Sequence, residues 1–206
     1  RLTGDGVLDI LGRFGFGEYT GAMLPGESIG NFPEKDSMSS LKKRSLSFGY
    51  GISVTAAQLA RAYSVSANHG YLQDLKISKD MISRDAIQIV SKKTSSQILT
   101  MLRKAVMQGT GRLAQIANFE VAGKTGTVRK AKAAGYSNDE HTVFFAGILP
   151  TKSTNYVCVV VIDNPRANGS TGGEVAAPIF SKLMAELIQT FALEPSYKSS
   201  DIQGEI

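Results

Sequence analysis

The sequence is poor in the residues that build metal sites and covalent cross-links. Its 206 residues include one cysteine, Cys158, and two histidines, His69 and His141. A single cysteine excludes an internal disulfide and a zinc site made of cysteines, and two histidines exclude a metal site made of several histidines.

Long hydrophobic runs and a strong excess of one charge are also absent. The wholly apolar runs are much shorter than the roughly 18 residues that a membrane-spanning helix needs. Lys and Arg number 23 against 18 Asp and Glu, and the resulting net charge of +5 is scattered along the chain. The composition excludes a membrane helix within this chain and gives no reason to expect nucleic acid as a partner.

The first third of the sequence alternates between helical periodicity and irregular chain. Apolar residues recur at helical spacing at Val7, Leu8, Leu11 and Phe14. Because the chain opens at Arg1 without a signal segment, we expect it to begin inside or beside a helix and to be cut from a longer domain. A glycine-rich irregular segment follows over residues 12–36. The next helix is predicted to start at Thr55, which has capping-box spacing to Gln58, and to end at Gly70.

A further helix and three strands are predicted next. The helix starts at Thr94 and ends at Gly109 or Gly111. Its predicted buried stripe consists of Ile98, Leu99, Leu102, Ala105 and Val106. The strands are predicted at residues 121–129, 142–149 and 156–163. The third strand is almost wholly apolar and β-branched, so we expect it to be buried on both faces.

The last periodic segment is an amphipathic helix, and residues 195–206 have no periodicity. Its apolar stripe is formed by Val175, Ile179, Phe180, Leu183, Met184, Leu187, Ile188 and Phe191. The order of elements predicts an α+β fold, an antiparallel sheet covered by helices. We divide the chain into a domain portion, residues 1–195, and a flexible tail, residues 196–206.

One short motif on the first predicted strand has the chemistry of an anion site. Lys124-Thr125-Gly126-Thr127 combines an ammonium group, two hydroxyl donors and a glycine. The glycine would let a ligand approach the backbone, and the N–H of Thr127 would face a developing oxyanion if it is unpaired at the sheet edge.

Two other motifs match known cofactor-binding sequence patterns, but the predicted elements around them do not fit those patterns. Gly109-Thr110-Gly111-Arg112-Leu113-Ala114 has the spacing of a dinucleotide fingerprint, yet it follows a predicted helix and not a strand. Gly123-Lys124-Thr125 resembles the end of a phosphate-binding P-loop, but the upstream glycine is replaced by Asn118 and no helix follows. We therefore interpret the first as a helix terminator and reject phosphate binding by the second.

Taken together, four segments resemble class B penicillin-binding proteins, and in particular the division-specific peptidoglycan transpeptidases. Lys-Thr-Gly is a motif of this family and of class A β-lactamases. The other segments occur in the family's order and are Leu24-Pro25-Gly26-Glu27-Ser28, Ser47-Phe48-Gly49-Tyr50 through Ala60, and Gly172-Gly173-Glu174 through Phe180. The likeness covers roughly residues 10–195. It implies the penicillin-binding and serine β-lactamase-like transpeptidase fold, here only its C-terminal portion.

The resemblance implies roles for the four motif residues. Lys124 would orient the hydroxyl network and the anionic substrate, and Thr125 and Thr127 would bind the terminal carboxylate of a D-Ala-D-Ala stem peptide or a β-lactam. Gly126 would keep the strand close to the ligand. Lys124 and Thr127 are thus the candidate catalytic residues, with no metal and no cofactor.

The resemblance also implies a cellular setting. The parent protein would be a serine-type D,D-transpeptidase at the periplasmic face of the bacterial inner membrane, anchored by a segment outside this chain. Its partners would be peptidoglycan stem peptides, β-lactams, the N-terminal portion of the same protein and cell-division membrane proteins.

By the resemblance, the family's nucleophile motif, S-x-x-K, and its S-x-N motif would both lie upstream of the point where this sequence begins. Ser39-Ser40-Leu41-Lys42-Lys43 fits S-x-x-K twice by letters, in a charged, loop-like stretch. Ser66-Ala67-Asn68 and Ser153-Thr154-Asn155 fit S-x-N at a predicted helix end and hairpin loop. We interpret all four as accidental, so we expect no nucleophile in this chain and no activity from the chain by itself.

Two alternatives stay open. A serine β-lactamase or D,D-carboxypeptidase shares the Lys-Thr-Gly strand, although the segments from Phe48 to Ala60 and from Gly172 to Phe180 favour the class B transpeptidase. A non-catalytic muropeptide-binding fragment is the alternative from another functional class.

Overall fold

The structure is a computed structural model that describes residues 4–34, 39–132, 135–166 and 170–195. The predicted tail, residues 196–206, lies outside the described residues. The chain forms two compact units, one up to Lys92 and one from Lys93 onward. In the parts of the chain that are described, no helix has the length and hydropathy of a membrane span.

The first unit is mainly helical. Its elements are α1 (Gly4–Arg13), α2 (Ser40–Ser45), a 3-10 turn (Leu46–Phe48), α3 (Ala56–Ala67), β1 (Tyr71–Leu72) and β2 (Ile87–Gln88). The predicted helix near the start is confirmed as α1, in which Leu8 is buried. Strands β1 and β2 pair antiparallel, with Tyr71 opposite Gln88.

Helix α3 begins where the sequence predicts and also organises the irregular segment before it. The hydroxyl of Thr55 accepts from the Gln58 amide, and the Gln58 side chain accepts from the Thr55 amide, which completes the capping box. Gln58 is buried, and its Nε2 donates to the carbonyls of Glu18 and Ile29, each at 2.9 Å. One glutamine therefore caps the helix and ties down the glycine-rich segment.

The second unit is a three-stranded antiparallel sheet with two helices. Its elements are α4 (Lys92–Met107), a 3-10 turn (Arg112–Ala114), β3 (Ala122–Lys132), β4 (Gly135–Pro150), β5 (Asn155–Asp163) and α5 (Ala176–Phe191). The strand order is β3-β4-β5. All three predicted strands are confirmed, although β3 and β4 are longer than predicted. Helix α4 starts two residues before the predicted Thr94.

The core of this unit lies between the sheet and α5. Phe145 and Phe180 are fully buried, with ring centroids 4.8 Å apart, and Val106, Leu149 and Met184 belong to the same cluster. Each large side chain buried in this way stabilises the fold by roughly 1.5–3 kcal/mol.

Two burial predictions need correction. Strand β5 is not buried on both faces: it is the last strand of the described sheet, its residues are half-buried or exposed, and Val161 is 47% exposed. Of the predicted α4 stripe only Val106 is fully buried. The apolar stripe of α5 is likewise covered only in part: Phe180 and Met184 are buried, whereas Leu183 is 48% exposed and Phe191 is 63% exposed. The physical reason is the same in each case, because the described part of the unit covers only one side of these elements.

Candidate functional site

The four motif residues lie on β3, as predicted. Lys124 is opposite Ala146 and Thr127 is opposite Val143 in the antiparallel register with β4. Among the described residues β3 has no other neighbouring strand, so the motif lies on an outer strand of the sheet. A side chain there can meet a ligand without displacing the core.

The ammonium group of Lys124 is surrounded by threonine oxygens. Its Nζ donates to the carbonyl of Thr125 at 3.1 Å, to the hydroxyl of Thr125 at 3.1 Å and to the hydroxyl of Thr110 at 3.2 Å. The two hydroxyl oxygens are themselves 2.7 Å apart. We call Thr110, Lys124 and Thr125 the lysine cluster. Lys124 and Thr110 are exposed, so the cluster is open to a ligand.

Thr127 is held by a different contact. Its hydroxyl accepts a hydrogen bond of 3.2 Å from the amide of Gly172, in the turn that leads into α5. The carboxylate of Glu174 stabilises that turn, because it accepts from the amides of Ser170 and Thr171 and from the Thr171 hydroxyl. These bonds, the Ser170 amide first, hold the pKa of Glu174 below its usual value, so this carboxylate is ionised near neutral pH.

Gly126 has a packing role that the sequence does not reveal. A Cβ at this position would collide with the ring of Phe144, the residue opposite it on β4. The absence of a side chain at Gly126 therefore makes room for the Phe144 ring. Gly172 also approaches the Gly126 backbone closely, because a Cβ on Gly172 would lie 2.6 Å from the Gly126 carbonyl oxygen.

Thr110 is the site residue that sequence reasoning missed. Its segment was interpreted as a helix terminator, which it is, because the amide of Gly111 donates to the carbonyl of Ala105 at 3.1 Å as the chain leaves α4. The only signal for a second role was a hydroxyl between two glycines shortly before the motif strand. The turn sets the short distance between Thr110 and Lys124, so the sequence alone could not predict it.

The S-x-x-K and S-x-N matches make local contacts in their own parts of the chain. The Lys43 ammonium forms an ion pair with Asp5 at 2.7 Å, so it is engaged by a carboxylate. Ser66 is buried in α3, and Asn68 caps the C-terminal end of that helix. Ser153 lies in the turn between β4 and β5, and Asn155 is the first residue of β5. Cys158 is half-buried, and burial raises the pKa of its thiol, as expected for a core residue.

Comparison with known proteins places residues 1–185 in one family model, described as the penicillin binding protein transpeptidase domain. The chain is 37% identical over 190 residues to a probable peptidoglycan D,D-transpeptidase, PbpC, of Pseudomonas aeruginosa, covering 92% of this chain and 34% of that protein. It is 31% identical over 200 residues to the peptidoglycan D,D-transpeptidase FtsI of Escherichia coli K12, covering 97% of this chain and 34% of that protein. The chain thus spans about a third of the length of these curated relatives.

The fold is also similar to solved structures. A crystal structure of penicillin binding protein 3 from Mycobacterium tuberculosis, complexed with ampicillin, matches with a TM-score of 0.80 and 32% identity. The match covers 93% of this chain and 47% of that one. The predicted α+β transpeptidase fold is confirmed by this likeness and by the family model.

Proposed function

The chain belongs to the penicillin-binding protein transpeptidase family, and from this premise we propose that it supplies the substrate-binding strand of a peptidoglycan D,D-transpeptidase that β-lactams inhibit. The finer proposal is that Lys124, Thr125, Gly126 and Thr127 form the binding edge and that the serine nucleophile lies outside these 206 residues. Septal peptidoglycan at the periplasmic face of the inner membrane is the proposed setting.

The observation that carries the proposal is the lysine cluster on an outer strand. A carboxylate is best recognised by a cation together with directional hydroxyl donors, and Lys124 and Thr125 offer both at a solvent-open position. The hydroxyl of Thr127 lies two residues further along the same strand and, like Thr125, would donate to the ligand carboxylate.

The backbone supports a second role at the same edge. The carbonyl of Thr125 accepts from the Lys124 ammonium. Residues two apart on a strand direct their backbone groups to the same side, so the N–H of Thr127 shares the side of that carbonyl. An N–H at the edge is suited to stabilise the oxyanion that forms when a serine attacks a carbonyl carbon.

The proposed reaction has two steps. A serine oxygen attacks the carbonyl of the penultimate D-Ala, its proton passes to the departing amine, and the terminal D-Ala leaves to give a serine ester. The amine of a second stem peptide then attacks the ester, which forms the cross-linking amide and returns the proton to the serine. A β-lactam follows the first step only, because its ring amide opens while the leaving amine stays attached to the acyl group.

The proposal is tested on the natural polypeptide that contains this chain. Fluorescent penicillin should label it covalently and stoichiometrically, and unlabelled ampicillin should compete. Incubation with stem-peptide donors and acceptors should yield cross-linked dimers. Absence of covalent labelling would leave a non-catalytic binding fragment, and rapid turnover of the β-lactam without cross-linking would favour a β-lactamase or carboxypeptidase.

A further inference from the structure

Thr110 contacts both polar side chains that begin the binding edge. Its hydroxyl oxygen lies 2.7 Å from that of Thr125 and 3.2 Å from the Nζ of Lys124. We infer that Thr110 is a positioning residue for the proposed carboxylate site, directing the hydroxyl proton of Thr125 towards the ligand. This inference rests on the proposed function.

The count of protons in the lysine cluster is compatible with this direction. The Lys124 ammonium donates to both hydroxyl oxygens, and each threonine has a single hydroxyl proton. One proton must lie between the two oxygens, since they are 2.7 Å apart. When Thr110 donates that proton, the proton of Thr125 is left to donate to a carboxylate oxygen.

The position of Thr110 is fixed by the turn that carries it. A Cβ on Gly109 would lie 2.8 Å from the carbonyl oxygen of Ala105, and the Gly111 amide donates to that same oxygen. On the other side, a Cβ on Gly173 would collide with the carbonyl of Thr110 itself. The end of α4, strand β3 and the turn before α5 therefore meet at Thr110. A hydroxyl held in this way is preorganised, which is what a positioning role requires.

The test compares Thr110→Val, which removes the hydroxyl at nearly constant volume, with Thr110→Ser, which keeps it. Both are made in the natural polypeptide, and Thr100→Val, at an exposed threonine of α4, is the matched control. The readout is the second-order rate of acylation by benzylpenicillin and by its methyl ester. We expect Thr110→Val to slow acylation by benzylpenicillin roughly tenfold and acylation by the ester much less. Thr110→Ser and Thr100→Val should stay within about twofold of the unmodified protein, and Thr110→Val should add little to Thr125→Val.

The possible outcomes distinguish a failure of this inference from a failure of the proposed function. Normal acylation of Thr110→Val would overturn the positioning role while leaving the transpeptidase proposal intact. An equal loss for the acid and the ester, or an equal loss in Thr110→Ser, would also overturn it, because a general structural defect would act in that way. If the unmodified polypeptide is never acylated, the proposed function fails and the inference fails with it.

Discussion

The amide of Gly172 donates a hydrogen bond of 3.2 Å to the hydroxyl of Thr127, and so joins the turn before α5 to the binding strand. The two backbones are packed closely at this point. A Cβ on Gly172 would lie 2.6 Å from the carbonyl oxygen of Gly126 and would also collide with the carbonyl of Phe144. Both obstacles are backbone atoms of paired strands, which cannot rotate away as the end of a flexible side chain can.

Gly172→Ala should therefore displace the turn and weaken the contact to Thr127. We expect a loss of about 1–3 kcal/mol in the free energy of unfolding, together with slower acylation by penicillin. Thermal unfolding and acylation rates measure the two effects. Gly12→Ala is the control, because a Cβ at Gly12 would meet only the Phe32 ring at 3.9 Å. Equal stability of the two variants would contradict the tight packing described above.

Lys124→Ala and Thr125→Val should impair acylation without unfolding the protein. Lys124 is exposed and Thr125 is half-buried on an outer strand, so neither substitution opens a cavity. Losing a charge-assisted hydrogen bond to the ligand should lower the acylation rate roughly 10- to 100-fold. The melting temperature should change by less than about 2 °C. A loss of acylation that merely follows a loss of stability would count against the assignment of these residues.

The first unit contains a buried ion pair whose removal should be costly. A guanidinium nitrogen of Arg61 lies 3.0 Å from a carboxylate oxygen of Asp74, and the two side chains are only 4% and 8% exposed. The more exposed Arg84 forms a second ion pair with the same carboxylate. Asp74→Asn leaves the Arg61 charge buried without its partner, so we expect a loss of roughly 3 kcal/mol in the free energy of unfolding. Arg84→Ala, whose side chain is 62% exposed, should cost less than about 1 kcal/mol. Denaturant unfolding of the two variants tests this order.

The Asp74 carboxyl, which both arginines contact, also makes the stability of the fold depend on pH. Hydrogen bonds from Arg84 come first among the causes that hold the pKa of Asp74 below its usual value. A carboxyl with a lowered pKa in the folded state stabilises the fold above the unfolded pKa of about 3.9, and this contribution is lost as the pH falls through the folded value. The unmodified protein should lose stability more steeply below about pH 4 than Asp74→Asn does. If the stability of the two proteins fell equally steeply with pH, the lowered pKa of Asp74 would be contradicted.

Local patterns predicted the motif strand, its antiparallel neighbour and the cap of α3, because strand periodicity and capping act between residues close in sequence. Contacts that depend on the path of the chain were not predictable. Gln58 reaches the carbonyl of Glu18 across 40 positions, and Thr110 meets Lys124 only because the end of α4 turns back at two glycines. The partial exposure of the β5 faces was missed for a related reason. Its composition is typical of a strand covered on both faces, and which elements pack on a face is not a local property of the sequence.

The 206-residue chain expressed by itself should form no covalent penicillin adduct. Its S-x-x-K matches begin at Ser39 and Ser40, and Lys43 of the second match is paired with Asp5 and is not available as a base. Intact-mass measurement after incubation with excess penicillin checks this, with the natural polypeptide as the positive control. A stoichiometric adduct mapped to Ser39 or Ser40 would show that these serines are not accidental matches.

The last prediction concerns the outer edge formed by β5. From Tyr156 to Ile162 this strand has no charged residue and no proline, and its residues favour β structure. An uncovered strand of this kind pairs readily with other strands. Helix α5 adds Leu183 and Phe191, which are 48% and 63% exposed. Full burial of these two side chains is worth roughly 3–6 kcal/mol, which is close to the lower end of a whole domain's stability.

We therefore expect residues 1–206 not to behave as an autonomous monomer, and another strand to cover this edge in the natural polypeptide. Size exclusion should show association that rises with concentration, and Val161→Lys should reduce it, because a charge on an exposed edge strand opposes pairing. Ile82→Lys, at a residue that is 93% exposed outside the sheet, makes the same charge change and should leave association unaltered. Amide exchange gives the decisive measurement. A monomer whose amides exchange slowly throughout residues 156–163 would contradict this expectation.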